Sequence, residues 1–394
     1  MSVFDISGNE IGYQLYDTPI ITGELPFVLI ESSTAYTALT KENASDGTLT
    51  FYDGKGKFTL PVTMKLQGSG SLAFAKKNLN ITFYNDKGKK QKIIFNNWYP
   101  TNKIHLKANE FDYSMVRNSV GAKFTYKMMG KYLPTPARSY IDSFPVIMYY
   151  NNEYMGCHTV NLSQDGKTYG FKDKNEKNCT NLVYRCGDTT TLWTDNSYWE
   201  YRGDKDETTE MRQAFIGLHN FMIDYANFTK QSIETHFDKQ TLVAYWTLAD
   251  VMCAVDSLVN NWTLVTWDGQ KWYHVWYDLD LVFGLGGIVD AHHLPSTYDI
   301  RNCEQYRNNG FWAKIAELYA TDIKSMYSTF RKNGVDVNSI YDMLRNFQLT
   351  WGWQNINADR EKWASDKRNN NEISRTWISE RIDFLDEKYE YTEN

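Results

Sequence analysis

The chain is organised around residues 238–284, which read DKQTLVAYWTLADVMCAVDSLVNNWTLVTWDGQKWYHVWYDLDLVFG. In the first part of this stretch, apolar residues recur at three- and four-residue intervals and predict a helix over residues 239–254, with Asp238 as its N-cap. Two short alternating runs then flank Asp268-Gly269, a dipeptide suited to a type I′ turn, and predict a β-hairpin. Acidic and amide side chains lie before and after this hairpin: Asp256, Asn261, Asp278 and Asp280.

The order of these parts is similar to that of a protein-kinase catalytic loop followed by its metal-binding acid. Nucleotide phosphates are carried with divalent cations, which prefer carboxylate and amide oxygens, and the acceptor hydroxyl needs a carboxylate to orient it. We therefore expect Asp256 to position the acceptor hydroxyl, and Asn261 and Asp278 to bind metal. Asp280 follows Asp278 at a spacing of two, so both carboxylates are expected to leave an extended chain on one side.

The spacing of Asp256 and Asn261 is weak as an isolated signal, because Asp173 and Asn178 show the same spacing in an ordinary polar stretch. A structural alternative is that Asp256 caps a turn, while the later acids pair with surface Lys or Arg. The context favours the functional interpretation, since an apolar helix and a Trp-rich strand flank the pair. An unpaired carboxylate near such a core costs several kcal/mol unless something compensates it.

Composition limits the classes of function. The chain of 394 residues is long enough for one large domain or two, and its formal charge of -6, its pI near 5.7 and the lack of a dense Lys/Arg run give no reason to expect nucleic acid as a partner. Aromatic residues make up 15% of the chain, which suits a β-rich scaffold and a sugar-binding surface equally. The 5 cysteines are odd in number and irregularly spaced, so we expect free thiols.

The N-terminus lacks the basic start and apolar run of a secretion signal, and no apolar stretch approaches the ~18 residues of a membrane span. We therefore expect a soluble protein with no membrane partner. It would be made in the cytoplasm and could later be incorporated into a larger particle.

Residues 1–24 are expected to be a polar leader or adaptor, and residues 25–390 a domain with three parts. Short strands with glycine-bearing turns predict an antiparallel, β-rich N-terminal lobe over about residues 25–165. A polar stretch predicts a loop-rich insertion over about residues 165–208, and amphipathic helices predict a mainly helical C-terminal lobe over about residues 209–390. The predicted fold class is therefore α+β.

A loop of small residues, Gln67-Gly-Ser-Gly-Ser71, lies between two predicted strands. Glycine and serine let backbone N–H groups come close to a phosphate, although small-residue hairpin loops are also common. In the next strand, the apolar residues of 79–83 alternate with polar ones, so Lys77 is expected on the apolar face and Lys76 on the wet face. A lysine on an apolar face usually pairs with a phosphate or carboxylate, and the alternative is a lysine that snorkels at the strand end.

These residues resemble the CotH family of spore-coat kinases, which are similar to atypical, secreted-kinase-like protein kinases. The resemblance covers roughly residues 25–385. Four groups of residues carry it: 65–71 with 76–81; 105–109 with 112–118; 150–156; and 256–261 with 276–280 and 283–284.

The resemblance implies an atypical protein-kinase-like bilobal fold and transfer from ATP, with Mg²⁺ or Mn²⁺, to a Ser or Thr hydroxyl. It assigns catalytic roles to Asp256 on the acceptor and Lys77 on the phosphates. It implies nucleotide binding by Gly68, Ser69, Gly70, Ser71, Lys77 and Arg117, and metal binding by Asn261, Asp278 and Asp280. The partners that it implies are a nucleotide and an unidentified protein of a spore coat or virion.

The chain departs from the family pattern at several positions. Gln67 stands where the family usually has an arginine, Leu162 where many members carry a glutamate, and Trp276-Tyr277 where Pro-Trp is usual. Losing the arginine removes a bidentate clamp on phosphate, and losing the glutamate could remove a partner of the lysine or of a metal. The metal acids are retained, so nucleotide binding is better supported than turnover.

Two further functions stay open from the sequence. One is a catalytically weak or inactive, kinase-derived structural component of a spore coat, surface assembly or phage tail, with aromatic residues used for contact. The other is a kinase-fold enzyme that transfers AMP or an amino acid.

Overall fold

The structure is a computed structural model that describes residues 4–5, 25–54, 56–68, 70–96, 98–134, 140–171, 179–187, 192–203, 206–286, 293–307, 309–364 and 373–393. The chain forms two compact units. The first comprises Met1–Val116, Asp142–Ser163 and Arg345–Asn371, and the second comprises Arg117–Ile141, Gln164–Leu344 and Glu372–Asn394. The predicted leader over residues 1–24 lies almost entirely outside the described residues.

The first unit is built on β-strands. They are β1 (Phe4–Asp5), β2 (Phe27–Glu31), β3 (Ser45–Tyr52), β4 (Lys57–Gln67), β5 (Asn78–Phe83), β6 (Ile93–Ile94), β7 (Lys103–Lys107), β8 (Ser143–Tyr150) and β9 (Glu153–Leu162). Seven of these strands close into a barrel in the order β2-β3-β4-β5-β7-β9-β8. Strands β2 and β8 pair in parallel and so close the barrel, whereas all other neighbouring strands of the barrel pair antiparallel.

Aromatic rings form part of the core of the first unit. Phe51 packs against Phe58, Phe95 and Phe144, with ring centroids 5.2–6.1 Å apart, and each of these four side chains is buried. Such contacts hold strands from different hairpins together, because each buried ring removes a large apolar surface from water. The predicted β-rich N-terminal region is confirmed, and its closure into a barrel is an addition to that prediction.

Most helices belong to the second unit. They are α1 (Arg117–Met129), α2 (Thr209–Ile223), α3 (Lys230–His236), α4 (Lys239–Met252), α5 (Glu304–Arg307), α6 (Gly310–Leu318), α7 (Ala320–Lys332) and α10 (Arg375–Lys388). Between the last two, α8 (Val337–Leu349) passes from the second unit to the first, and α9 (Trp353–Lys362) lies in the first. The predicted helical C-terminal region, and with it the α+β class, is confirmed.

The second unit also contains a four-stranded sheet in the order β11-β10-β12-β13. Its strands are β10 (Leu182–Cys186), β11 (Trp199–Tyr201), β12 (Thr263–Thr266) and β13 (Trp272–Val275). The last two form the predicted hairpin, but the predicted type I′ turn is wrong. Thr266 pairs with Trp272, which leaves a five-residue loop, and only Gly269 of the central dipeptide has a positive φ. Asp268 Oδ1 instead accepts hydrogen bonds from the N–H groups of Gln270 and Lys271, which stabilises the wider loop.

The helix predicted at the centre of this sequence is α4. Asp238 caps it as expected, since its Oδ1 accepts the N–H of Thr241 at 2.8 Å. Every residue from Thr241 to Met252 is buried, and the helix ends where Cys253 takes a left-handed φ of 56°. This termination turns the chain directly into the segment that holds Asp256.

Two further sequence expectations concern cysteines and membranes. All five cysteines lie in the described residues and are free, so the prediction of free thiols is confirmed. None of the described helices combines the length and apolar character that a bilayer crossing requires.

Two buried histidines make the stability of the fold depend on pH. Burial lowers the pKa of His158 in the first unit and of His274 in the second from 6.5 to about 3, and the charge of Lys76 adds to the effect on His158. Neither ring nitrogen of His274 has a hydrogen-bond partner among the described residues. Because an unfolded chain protonates these rings first, their stabilisation is complete above about pH 6.5 and is lost progressively towards pH 3.

We expect the free energy of unfolding to fall by about 2 kcal/mol for each of these histidines between about pH 6.5 and pH 5, because one additional proton costs about 1.4 kcal/mol per pH unit. Chemical denaturation at a series of pH values measures this slope. His274→Phe, which removes the titrating group but keeps a ring, should flatten it by close to one proton. An unchanged slope in this variant would contradict the assignment to His274.

Candidate active site

Asp256 lies in the turn that follows α4, and its carboxylate accepts hydrogen bonds from two side-chain amides. Asn261 Nδ2 donates to Asp256 Oδ2 at 3.0 Å, and Asn260 Nδ2 lies 3.1 Å from the same oxygen. Both partners are side chains rather than the backbone N–H groups that a capping residue binds, which disfavours the interpretation of Asp256 as a turn cap. The acid and the amide that the sequence singled out are in direct contact.

The environment of Asp256 changes its acidity. Burial raises the pKa of this carboxyl group from 3.8 to about 6, and the negative charge of Asp278 acts in the same direction. The hydrogen bonds from Asn260 and Asn261 favour the ionised form and oppose the shift. A carboxylate with a pKa near 6 is mostly ionised at pH 7 and remains basic enough to take a proton from a hydroxyl group in a transition state.

Asp278 follows β13 and is held by Asn118 of α1. Asn118 Nδ2 donates to Asp278 Oδ1 at 2.8 Å, and Asn118 Oδ1 accepts the backbone N–H of Leu279 at 3.0 Å. One amide therefore fixes both the carboxylate and the backbone that carries it. Asn118 was not predicted to be a site residue from the sequence, although it belongs to residues 112–118, one of the stretches that carry the family resemblance.

The backbone is left-handed at two of the candidate metal ligands. Asn261 has a φ of 62° and Asp278 a φ of 51°. Asn and Asp enter this region more readily than other non-glycine residues, and residues held there cluster at functional sites. The φ angle of Asp278 contradicts the expectation that Asp278 and Asp280 point to one side of an extended chain. The chain is not extended at Asp278, so strand alternation does not set the directions of the two carboxylates. Asp280 is partly buried.

The small-residue loop of the first unit has a conformation that only glycine fits at one position. Gly68 has a φ of 109°, and a Cβ built on it would lie 2.0 Å from Ser71 Oγ. Asn78, the first residue of β5, connects this loop to the end of β7. Its Nδ2 donates to Ser71 Oγ at 3.1 Å, and its Oδ1 accepts the N–H of Ala108, the residue after β7, at 2.7 Å. Gly70 begins a short 3₁₀ turn, and Ser69 lies outside the described residues.

Lys76 and Lys77, which precede β5, differ in their burial. Lys76, predicted on the wet face, is buried, while Lys77 is only partly buried. Buried and partly buried residues alternate only from Leu79, the second residue of β5, so the alternation does not extend back to the bend that contains Lys76. The prediction that Lys76 faces solvent is therefore wrong.

Lys76 is the centre of a buried polar network. Its Nζ lies 2.7 Å from Asp359 Oδ2 and from the carbonyl oxygen of Cys157, and 3.2 Å from that of Ala108. Glu110 Oε2 lies 3.8 Å away. An ammonium group has three donors, and these three close oxygens satisfy them. Lys76 is thus fully engaged within the protein.

Lys77 retains more hydrogen-bonding capacity. Its Nζ donates to the carbonyl oxygen of Leu72 at 2.7 Å, and its backbone N–H donates to the hydroxyl of Tyr36 at 2.6 Å. Its other ammonium donors have no partner within the described residues. Of the two lysines, Lys77 is the one whose donors are available to an incoming anion.

Asp359 reaches Lys76 from α9, and Gly156 makes this approach possible. Asp359 Oδ2 accepts the backbone N–H of Cys157 at 2.8 Å, and Gly156 has a φ of 92°. A Cβ at Gly156 would lie 2.0 Å from Asp359 Oδ2, so a larger residue would displace the carboxylate. Lys76 therefore has a carboxylate partner in Asp359, although Leu162 stands where many family members carry a glutamate.

Arg117, the remaining predicted nucleotide ligand, is the first residue of α1 in the second unit and is buried. Asp256, Asn261 and Asp278 belong to the same unit, whereas Gly68, Ser71 and Lys77 belong to the first.

A protein-family comparison identifies the chain. The family described as CotH kinase protein matches residues 64–385. The chain belongs to the CotH kinase family. The expected family is therefore confirmed over a span that contains every candidate site residue. No curated protein matches the chain.

The oxygen donors of this CotH kinase-family chain suit a hard divalent cation. Asn261 contributes an amide and Asp278 a carboxylate, the ligand types that Mg²⁺ and Mn²⁺ prefer. The described residues contain no group of three His, Cys, Asp and Glu side chains that could hold a metal.

Proposed function

We propose that the chain is an ATP- and divalent-metal-dependent phosphotransferase with a kinase-like bilobal fold, acting as a protein Ser/Thr kinase on a protein of a spore coat or another particle. The observation that carries the proposal is the arrangement of Asp256. Burial and the negative charge of Asp278 raise the pKa of this carboxyl group, and a hydrogen bond from Asn261 orients it. Family membership supports a kinase-like chemistry for this cluster.

In the proposed reaction, the acceptor hydroxyl oxygen attacks the γ-phosphorus of ATP, the bond from phosphorus to the bridging oxygen breaks, and ADP leaves. Asp256 orients the hydroxyl and takes its proton, while Asn260 and Asn261 hold the carboxylate in place. Divalent cations, when bound, would neutralise charge on the phosphates. Asn118 keeps the Asp278 carboxylate oriented for that purpose.

The phosphates themselves are assigned to the loop and lysine of the first unit, with Arg117 of the second as a further candidate. Backbone N–H groups of Gly68, Ser69, Gly70 and Ser71 would bind phosphate oxygens, and Lys77 would supply a positive charge. The available donors of Lys77 support this assignment over Lys76, whose donors are already satisfied.

Incubation with γ-labelled and α-labelled ATP tests the proposal. A candidate acceptor mixture with Mg²⁺ or Mn²⁺ should gain label from γ-labelled ATP only, and label from α-labelled ATP would indicate AMP transfer instead. We also expect ATP with Mg²⁺ to raise the melting temperature, because a ligand at about 100 times its Kd adds about 2.7 kcal/mol of stability. No transfer together with an unchanged melting curve at millimolar ATP would favour a structural component.

A further inference from the structure

Beside the acidic cluster of the second unit lies a pair of arginines that the proposed reaction does not use. Arg185 belongs to β10, and Arg202 directly follows β11. Both form ion pairs with one carboxylate, that of Glu200, which lies opposite Arg185 in the sheet register. Within the described residues, the two guanidinium groups therefore share the charge of this one carboxylate.

The sheet places Arg185 next to the candidate metal residues. The carbonyl oxygen of Cys186, the next residue in β10, accepts a hydrogen bond from the backbone N–H of Asn261 at 2.9 Å. The Arg185 guanidinium also stacks over the ring of Tyr277, 4.4 Å from its centroid, and Tyr277 immediately precedes Asp278. Arg185 is thus next in sequence to a residue bonded to the candidate metal amide, and its side chain contacts the neighbour of a candidate metal acid.

The two arginines have less compensation than buried cations usually require. The Nε atoms of both are buried and have no hydrogen-bond partner among the described residues. Burial, and then the charge of Arg185, lower the pKa of Arg202 to about 10. The side chains still reach solvent, with 15% exposure for Arg185 and 32% for Arg202. Arg185 Nη1 also donates to Gln164 Oε1 at 3.3 Å, so an incoming anion would compete with Gln164 and Glu200 for the terminal nitrogens.

We propose that Arg185 and Arg202 bind an acidic side chain of the acceptor protein and so select Ser or Thr residues that lie next to Asp or Glu. The inference rests on the proposed function and deepens it by naming the class of acceptor. We favour the acceptor protein over the nucleotide as the source of the anion. Arg185 is next in sequence to Cys186, whose carbonyl oxygen accepts the backbone N–H of Asn261, and Asn261 in turn donates to Asp256, the residue proposed to orient the acceptor hydroxyl. The guanidinium fork suits a carboxylate, which it can bind with two parallel hydrogen bonds.

Peptide binding without ATP tests this subsite directly. The probes are a fluorescein-labelled peptide with one Ser flanked by Glu, and the same peptide with Gln in place of Glu. The intact chain should bind the Glu peptide about tenfold more tightly at low salt, and the difference should shrink as salt is added. Equal binding of the two peptides would overturn the proposal.

Variants of opposite expected sign separate the subsite from general damage to the fold. Arg202→Gln should reduce the preference for the Glu peptide to about twofold or less. Glu200→Gln should strengthen Glu-peptide binding at least about threefold, because it removes the carboxylate that competes for both arginines. Arg375→Gln, on α10 with Asn338 as its partner, is the matched control and should change neither. Preference retained in Arg202→Gln, or weaker binding in Glu200→Gln, would count against the subsite.

The nucleotide is the other possible source of the anion, and melting curves distinguish it. If the arginines held ATP phosphates, Arg202→Gln would abolish the rise in melting temperature with ATP and Mg²⁺, and the acceptor assignment would be wrong. A failed phosphotransfer assay with intact Glu-peptide preference would instead refute the proposed reaction and leave the acidic-peptide site in place.

Discussion

Asp278→Asn is expected to abolish both phosphotransfer and the rise in melting temperature with ATP and Mg²⁺, while the melting temperature without ligand stays close to that of the intact chain. The asparagine keeps an oxygen that can accept the hydrogen bond from Asn118 and tolerates the left-handed backbone at this position. It lacks the negative charge that a divalent cation requires. The loss of several kcal/mol of metal-mediated stabilisation corresponds to a rate decrease of about a thousandfold or more.

Asp383→Asn provides the matched control for this experiment. Asp383 is exposed on α10, so its neutralisation changes the net charge by the same amount without touching the acidic cluster. Differential scanning fluorimetry and the γ-label assay should therefore show an intact ATP response in this variant. A normal ATP response in Asp278→Asn would remove Asp278 from the metal site. Equal losses in both variants would show that the effect is one of overall charge.

The parts of the fold that the sequence predicted are those set by neighbouring residues. The cap at Asp238, the helix α4 and the strands β12 and β13 follow from local periodicity and were found. Closure of the barrel depends on the parallel pairing of β2 with β8, which are far apart in sequence, and no local pattern signals that pairing. The hairpin turn was mispredicted because Asp268 binds the N–H groups of a wider loop instead of entering a two-residue turn.

In the candidate site, too, contacts between residues close in sequence were predicted, and contacts between residues far apart in sequence were not. Asp256 and Asn261 were expected at one site and are in contact, because they are only five positions apart and one turn brings them together. Asn118 meets Asp278 only through tertiary packing. The burial of Lys76 was misjudged because alternation was extended beyond the start of β5. Its carboxylate partner comes from α9, which follows every barrel strand in the sequence.

Lys76→Met is expected to lower the free energy of unfolding of the first unit by about 3–5 kcal/mol, because it removes one charge of a buried ion pair with Asp359 and takes a positive charge away from Glu110. Chemical denaturation measures this loss, and where two transitions resolve, the change should appear in only one. Lys77→Met is the matched control. Its lysine is partly buried and has one carbonyl partner for its ammonium group, so its cost should stay within about 1 kcal/mol while nucleotide binding weakens.

A second substitution identifies the source of the cost. If the stranded carboxylate of Asp359 causes the loss, then Asp359→Asn in the Lys76→Met background should recover about 1–2 kcal/mol, because it removes a buried charge yet keeps an oxygen for the N–H of Cys157. In the otherwise intact chain the same Asp359→Asn change should destabilise, since it removes the carboxylate charge that lies 2.7 Å from the Lys76 ammonium group. Opposite signs in the two backgrounds would show direct coupling between the two side chains. Destabilisation of equal size in both would mean that Asp359 acts through the backbone of β9 alone, and that Lys76 needs no counter-ion from α9.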